Sequence, residues 1–308
     1  MRSGPARRRF GFFIPPLLLL GCAAPVTPLT TPELPHVYRD HTFRSDTILE
    51  GEVRLSGECL VPRGVTLEIL PGTKMLFVPE DRDGDGWGDA LLRVEGRIRA
   101  EGRPGAPVTF SSAGDEGGRR RVGDWEALVL DFSRGNLFRY VVVEYSRHSI
   151  HAHFSEGKIV RSLIAGNNDG CRMGGSSFLM EENLVRYNLS KGLNFRDCAN
   201  TVRNNEITAN GNGIFMFEKD SGTVISGNNI YGNHRYNLRL GDFFRGHILA
   251  HDNWWGYKDE GAIRKTIYDS RMDASIGTAD IQPAPTPHTI LPGVSLPVGG
   301  YVPPGPEG

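Results

Sequence analysis

The stretch from Phe138 to Asp242 repeats itself, and that narrows the possible folds more than any other feature of the chain. Phe138, Ile159, Met180, Val202 and Ile225 recur at intervals of 21, 21, 22 and 23. Val143, Ile164, Val185, Ile207 and Ile230 keep the same intervals, and Asn167, Asn188, Asn210 and Asn233 follow the last four of these by three residues. Ile150, Cys171, Leu193 and Ile214 make a further column. Several columns locked to one period mean stacked copies of one unit.

Within a unit the apolar residues alternate, as in Ile214-Phe215-Met216-Phe217. A period of two is that of a strand. About 22 residues at roughly 3.3 Å each make one circuit of a three-sided coil, with the next coil about 4.8 Å further on. The pattern predicts an all-β chain, a right-handed parallel β-helix with a short C-terminal cap. Asparagine suits the turns because it tolerates the left-handed region and its amide can bond to the coils above and below. A leucine-rich horseshoe has units of this length, but the L-x-x-L-x-L pattern is absent.

These repeats resemble the parallel β-helix repeats of the pectin-lyase-like superfamily. Asn253-Trp254-Trp255-Gly256 resembles the signature that closes such repeats in bacterial β-helix lipoproteins, and Gly64 to Thr73 (GVTLEILPGT) resembles their opening coil. The resemblance covers roughly Thr47 to Ile281. It implies a fold and leaves function open, because the fold carries lyases, hydrolases, binding proteins and scaffolds.

Residues 1–21 have the layout of an export signal: Arg2, Arg7, Arg8 and Arg9, then an apolar run from Phe10 to Leu20 that Pro15 and Pro16 interrupt. Leu19-Leu20-Gly21-Cys22 resembles a lipobox, which implies lipidation of Cys22 and anchorage in the bacterial cell envelope. Ala23, rather than Asp, after the cysteine implies the outer membrane over the inner. Residues 22–46 are rich in Pro and Thr and read as an extended tether. The helix proper is expected over 47–256. A cap is expected over 257–281, with a short helix around Ile263 and Ile267 and with Trp254 and Trp255 plugging the open end. Residues 282–308 are rich in Pro and Gly and are expected to be disordered. The net charge of −1 gives no reason to expect a nucleic acid as partner, and a monomer is expected.

Asp81-Arg82-Asp83-Gly84-Asp85-Gly86-Trp87-Gly88-Asp89 is the sharpest local motif. Aspartates at alternate positions beside glycines let a tight loop aim several oxygens at one centre, which is what calcium requires. Asp81, Asp83, Asp85 and Asp89 are the expected ligands. Leu92 stands where an EF-hand loop has its bidentate Glu, so the spacing resembles the aspartate repeats of extracellular calcium modules more closely. Without a cation such a loop is simply a solvated acidic turn.

If Ile150, Cys171, Leu193 and Ile214 point inward, their neighbours point out on one face. That face then carries His151, Arg172, Arg196, Phe215, Phe217 and Arg239, a mixture suited to sugar rings and acidic glycans. Further on, Asp197, Glu218 and Asp242 share an offset and are candidate catalytic acids, since retaining glycosidases hold two carboxylates about 5 Å apart. His148, His151 and His153 could hold a transition metal, as in the copper-associated β-helix proteins of the periplasm, or could simply be solvated. Two function classes follow. One is a non-enzymatic envelope protein that binds polysaccharide or serves as a surface scaffold. The other is a polysaccharide lyase or glycoside hydrolase.

Overall fold

The computed structural model describes residues 36–294, together with Met1 and Gly4. The expected export signal, the expected lipidation site Cys22 and most of the expected tether lie outside the described residues. Among the described residues no helix is long and apolar enough to cross a membrane.

The chain winds as a right-handed parallel β-helix. Each coil contributes one strand to each of three parallel sheets, which hold nine, nine and eight strands. One circuit runs Ile150–His153, Glu156–Val160 and Leu163–Ala165 before Asp169–Gly174 returns to the sheet it began in. The sheet containing Ile150–His153 is called the front sheet below, and the one containing Leu163–Ala165 the back sheet.

Backbone pairing puts the periodic residues in register. Phe138, Ile159, Met180, Val202 and Ile225 are stacked partners, and so are Val143, Ile164, Val185, Ile207 and Ile230. None of these is more than 1% exposed. The core is therefore a set of parallel apolar columns, each side chain packed on its counterparts one rung away.

Asparagine does a different job from the one its turn propensity suggests. The left-handed residue at that corner is the one before it: Gly166, Tyr187, Ala209 and Gly232 have φ of 67°, 57°, 53° and 59°. Asn167, Asn188 and Asn210 are buried and Asn233 half-buried, and their amides form the expected bonds from coil to coil as a ladder. Nδ2 of Asn167, Asn188 and Asn210 donates to Oδ1 of Asn188, Asn210 and Asn233 at 3.0, 2.8 and 3.0 Å. A second ladder runs through Asn183, Asn205, Asn228 and Asn253, each step 2.9 Å. Asn253, which opens the Asn-Trp-Trp-Gly stretch, is thus the last rung of that ladder. Buried amides are costly unless satisfied, and stacking satisfies them coil by coil.

Both ends depart from expectation. His36–Arg39 pairs with Glu52–Ser56, so the helix begins before Thr47, inside the segment expected to be tether. Phe43, 2% exposed, packs its ring 5.0 Å from Tyr38 and 4.9 Å from His41 and closes this end. At the other end Trp255 is fully buried, while Trp254 is half-buried and bridges to Asn229, so one tryptophan fills the core and the other extends the back sheet. The short helix is Glu260–Lys265, capped by Asp259, whose Oδ1 accepts from the Ala262 amide at 2.8 Å. Its buried Ile263 covers the last coil.

Residues 282–294 of the Pro/Gly-rich segment are ordered, contrary to the expectation from composition. Thr278–Pro283 pairs with His247–Asn253, and the chain then runs along the outside of the back sheet. Val294 is 7% exposed and covers Leu163, Ala165 and Leu184, which point outward from that sheet. Ordering a segment requires burial, and these outward apolar residues supply it.

Candidate functional site

The front sheet carries the outward columns. Its register aligns His151, Arg172, Asn194, Phe215 and Arg239 in one file, and His153, Gly174, Arg196 and Phe217 in the next. The expected strip is therefore continuous. It is also hollow, because at Gly174 the second file has no side chain. The nearest atom to a Cβ placed there would be His153 Nδ1 at 3.9 Å. The result is a groove of about 570 Å³ running from His151 to Lys219.

Aromatic rings stand at both ends of the groove. Phe154, 58% exposed, stacks on Phe132 with centroids 5.0 Å apart, and its ring lies over Gly175, where a Cβ would come within 2.6 Å. Phe215 and Phe217 lie nearly parallel at 6.2 Å, and Phe243 meets Phe217 edge-on. Phe132, Phe154, Gly175, Asp197 and Glu218 form the left-handed corner that borders the groove, with φ between 48° and 61°. Sequence reasoning missed the two lower phenyl rings. The signal was there, since these five recur at intervals of 22, 21, 22 and 21.

The floor is polar. Asp169 is buried beside His148 Nδ1 at 3.6 Å, Lys191 Nζ at 3.5 Å and Asn194 Nδ2 at 3.4 Å. Burial pushes its carboxyl pKa up, but His148, Lys191 and Asn194 together outweigh that and hold it below the usual range. Arg172 Nη1 lies 3.4 Å from His148 Nε2. The same Nε2 lies 3.9 Å from Glu126 Oε1, so the ring sits between two carboxylates and a guanidinium. His151 is pushed down to about 3, first by burial and then by His153, Arg172 and His148, and is neutral at pH 7. Burial likewise lowers His153.

The candidate catalytic acids are engaged as ion-pair partners. Glu218 Oε2 accepts from Arg196 Nε at 2.7 Å, and Asp197 pairs with Lys219 Nζ at 2.8 Å and with Ser221 Oγ at 2.5 Å. Lys219 and Ser221 hold the Asp197 carboxyl low, the opposite of what a general acid needs. Asp242 is exposed and is not among the residues lining the groove. Asp197 and Glu218 therefore share the groove from adjacent coils, each held by its own cation, and Asp242 stands apart from it. His148, His151 and His153 do not bring three ring nitrogens together, although their ring centroids are 5.4 and 4.4 Å apart in succession.

Among the described residues one trio of His, Cys, Asp or Glu brings its ligand atoms within 4.8 Å of each other: Asp81, Asp83 and Asp89. The loop is folded around its own carboxylates, Asp81 accepting from the Gly84 and Gly86 amides at 2.7 and 3.0 Å. Asp85, expected as a fourth ligand, turns away. One oxygen accepts from the Trp87 amide at 2.9 Å and the other from Arg147 at 3.3 Å. Arg147 comes from a different coil and also lies over the Trp87 ring, at 5.2 Å from its centroid. That contact fixes the direction of Asp85.

Cys59, Cys171 and Cys198 are free and buried. Burial raises all three thiols, Cys171 to about 12, and so keeps them inert.

A family model described as periplasmic copper-binding protein (NosD) matches residues 108–248, somewhat less than half of the chain. No curated protein matches. Among solved structures, the Dettilon tailspike protein (gp208) is similar at 14% identity and a TM-score of 0.32, over 82% of this chain and 53% of the tailspike chain, so the chain spans about half the tailspike's length. With its registered coils and outward file of His, Arg, Asn and Phe, the chain is a right-handed parallel β-helix whose central coils are similar to the NosD family.

Proposed function

We propose that this protein is a carbohydrate-binding β-helix of the bacterial cell envelope, tethered by lipidated Cys22 and stiffened near its start by calcium between Asp81, Asp83 and Asp89. One observation carries the reading: the groove over Gly174 is flanked by phenyl rings that no core contact requires, Phe154 at one end and Phe217 at the other. Exposed aromatic faces beside amides and guanidinium groups are what a sugar ring stacks on and hydrogen-bonds to. The match to a family named as periplasmic agrees with an envelope location. Copper, which that family's name carries, finds no convergent trio among the groove's histidines and acids.

The test is retention of envelope and extracellular polysaccharides on immobilised protein, read for cleavage as well as binding. Phe217→Ala and Phe154→Ala should each weaken retention severalfold, while Arg54→Gln on the back sheet should leave it unchanged. Retention indifferent to both phenylalanines would sink the reading, and release of shortened chains would replace it with the lyase or hydrolase alternative.

A further inference from the structure

Two guanidinium groups on the front sheet have no counter-ion. Lys191, Arg196 and Lys219 are matched by Asp169, Glu218 and Asp197. Among the described residues Arg172 and Arg239 pair with no carboxylate, and their positions are held by other means. Arg172 rests on the His148 imidazole, which is backed by buried Asp169. Arg239 lies between two rings, its guanidinium carbon 5.7 Å from the Phe215 centroid and 5.3 Å from that of Tyr268. Its Nε is buried and has no hydrogen-bond partner. Arg172 lines the groove, and Arg239 stands in the same file one rung beyond Phe215, the last residue of that file to line it.

Arg172 and Arg239 stand in the same outward file with Asn194 and Phe215 between them. Three rung spacings separate them, about 14 Å. We propose that the groove, extended one rung to Arg239, is a receptor for an anionic glycan laid along the helix axis, its carboxylate or sulfate groups neutralised at Arg172 and Arg239 and a sugar ring between them seated against Phe217. The proposal rests on the carbohydrate reading and adds the charge class and direction of the ligand. The acids of the groove do not oppose it, because each is already neutralised by a lysine or arginine. Arg172 is pre-positioned by the His148–Asp169 pair, and Arg239 by its two rings, so little side-chain entropy is lost on binding. Both residues act by binding.

The experiment uses the full chain, immobilised, against a panel of anionic polysaccharides, each paired with its carboxyl-reduced or desulfated neutral form. Arg172→Gln, Arg239→Gln and, as control, Arg54→Gln are measured beside the parent protein. The proposal expects at least one anionic polymer to be retained over its neutral counterpart. Each groove variant should lose affinity for it roughly tenfold, as for one charge-assisted contact, the control none, and retention should weaken with salt. Equal retention of charged and neutral forms, unmoved by either groove variant, would overturn the proposal and leave the carbohydrate reading standing. Retention of no polymer at all would overturn both.

Discussion

Asn229 holds His288 by the backbone from both sides. Its Nδ2 donates to the His288 carbonyl at 2.9 Å and its Oδ1 accepts the His288 amide at 2.8 Å. A proline-rich chain cannot offer a run of amides to a sheet, so it docks at single points: this pair, the His288 Nε2 contact to the Asp252 carbonyl at 2.7 Å, and buried Val294. Asn229→Ala removes two hydrogen bonds and should weaken docking of residues 285–294 by about 1–3 kcal/mol. Limited proteolysis checks it: cleavage within this segment should accelerate while the thermal midpoint of the helix moves little. Unchanged cleavage would show that the pair is incidental.

The asparagine ladder predicts a contrast between two residues of one kind. Asn188→Ala removes an acceptor used by the Asn167 amide and side chain and a donor to Asn210 and Ile164. Orphaning buried groups costs about 1–3 kcal/mol each, so roughly 3 kcal/mol of stability should be lost. Asn194→Ala, in the groove, loses a single long hydrogen bond to Asp169 and should cost about 1 kcal/mol or less. Equal effects in urea denaturation would contradict the ladder's role.

Stability should fall on acidification before ordinary carboxylates titrate. Unfolded histidine protonates near 6.5, whereas folded His151 does so at about 3. Between those values the unfolded chain takes up a proton that the folded chain refuses. The contribution is therefore complete above about 6.5 and is lost as the pH drops toward about 3. Asp169, held low in the folded state, acts in the same direction at lower pH. His151→Gln should flatten the stability profile between pH 6.5 and 4.5. A profile as steep as that of the parent would refute this assignment.

Calcium binding should separate the four aspartates of the loop. Asp83→Ala and Asp89→Ala should each abolish uptake in calorimetry at millimolar calcium, while Asp85→Ala should retain it and loosen only the Arg147 contact. Loss of binding in Asp85→Ala to the same extent as in the others would mean that the loop rearranges around the ion.

The sequence made the inward columns legible because each apolar residue repeats with its neighbours on the period, as Phe138 and Val143 do. The second asparagine ladder was not legible, because Asn204-Asn205 and Asn228-Asn229 are adjacent pairs in which one residue turns in and the other out. Only the corner decides, where Asn204 takes φ of 54°. The outward strip followed from strand alternation, and the register placed its residues together. What alternation cannot supply is contact between distant coils. Arg147 drawing Asp85 out of the loop spans 62 residues, and His148 reaching Asp169 and Arg172 joins neighbouring coils around a corner. The order of residues 282–294 was hidden for a related reason: their composition matches that of a free chain, and what holds them is an asparagine and an apolar patch far away in sequence.

The groove exists because one position has no side chain. Gly174 needs no unusual backbone angle, and a Cβ there would touch nothing closer than 3.9 Å. Gly157, Gly170, Gly192 and Gly213 of neighbouring coils have backbone atoms within 3 Å of such a Cβ, whereas this one has room for a side chain. Fold and binding are thus separable at a single residue: Gly174→Leu would give a well-folded helix with its groove filled. Homologous chains could gain or lose a ligand there while every rung above and below stays the same.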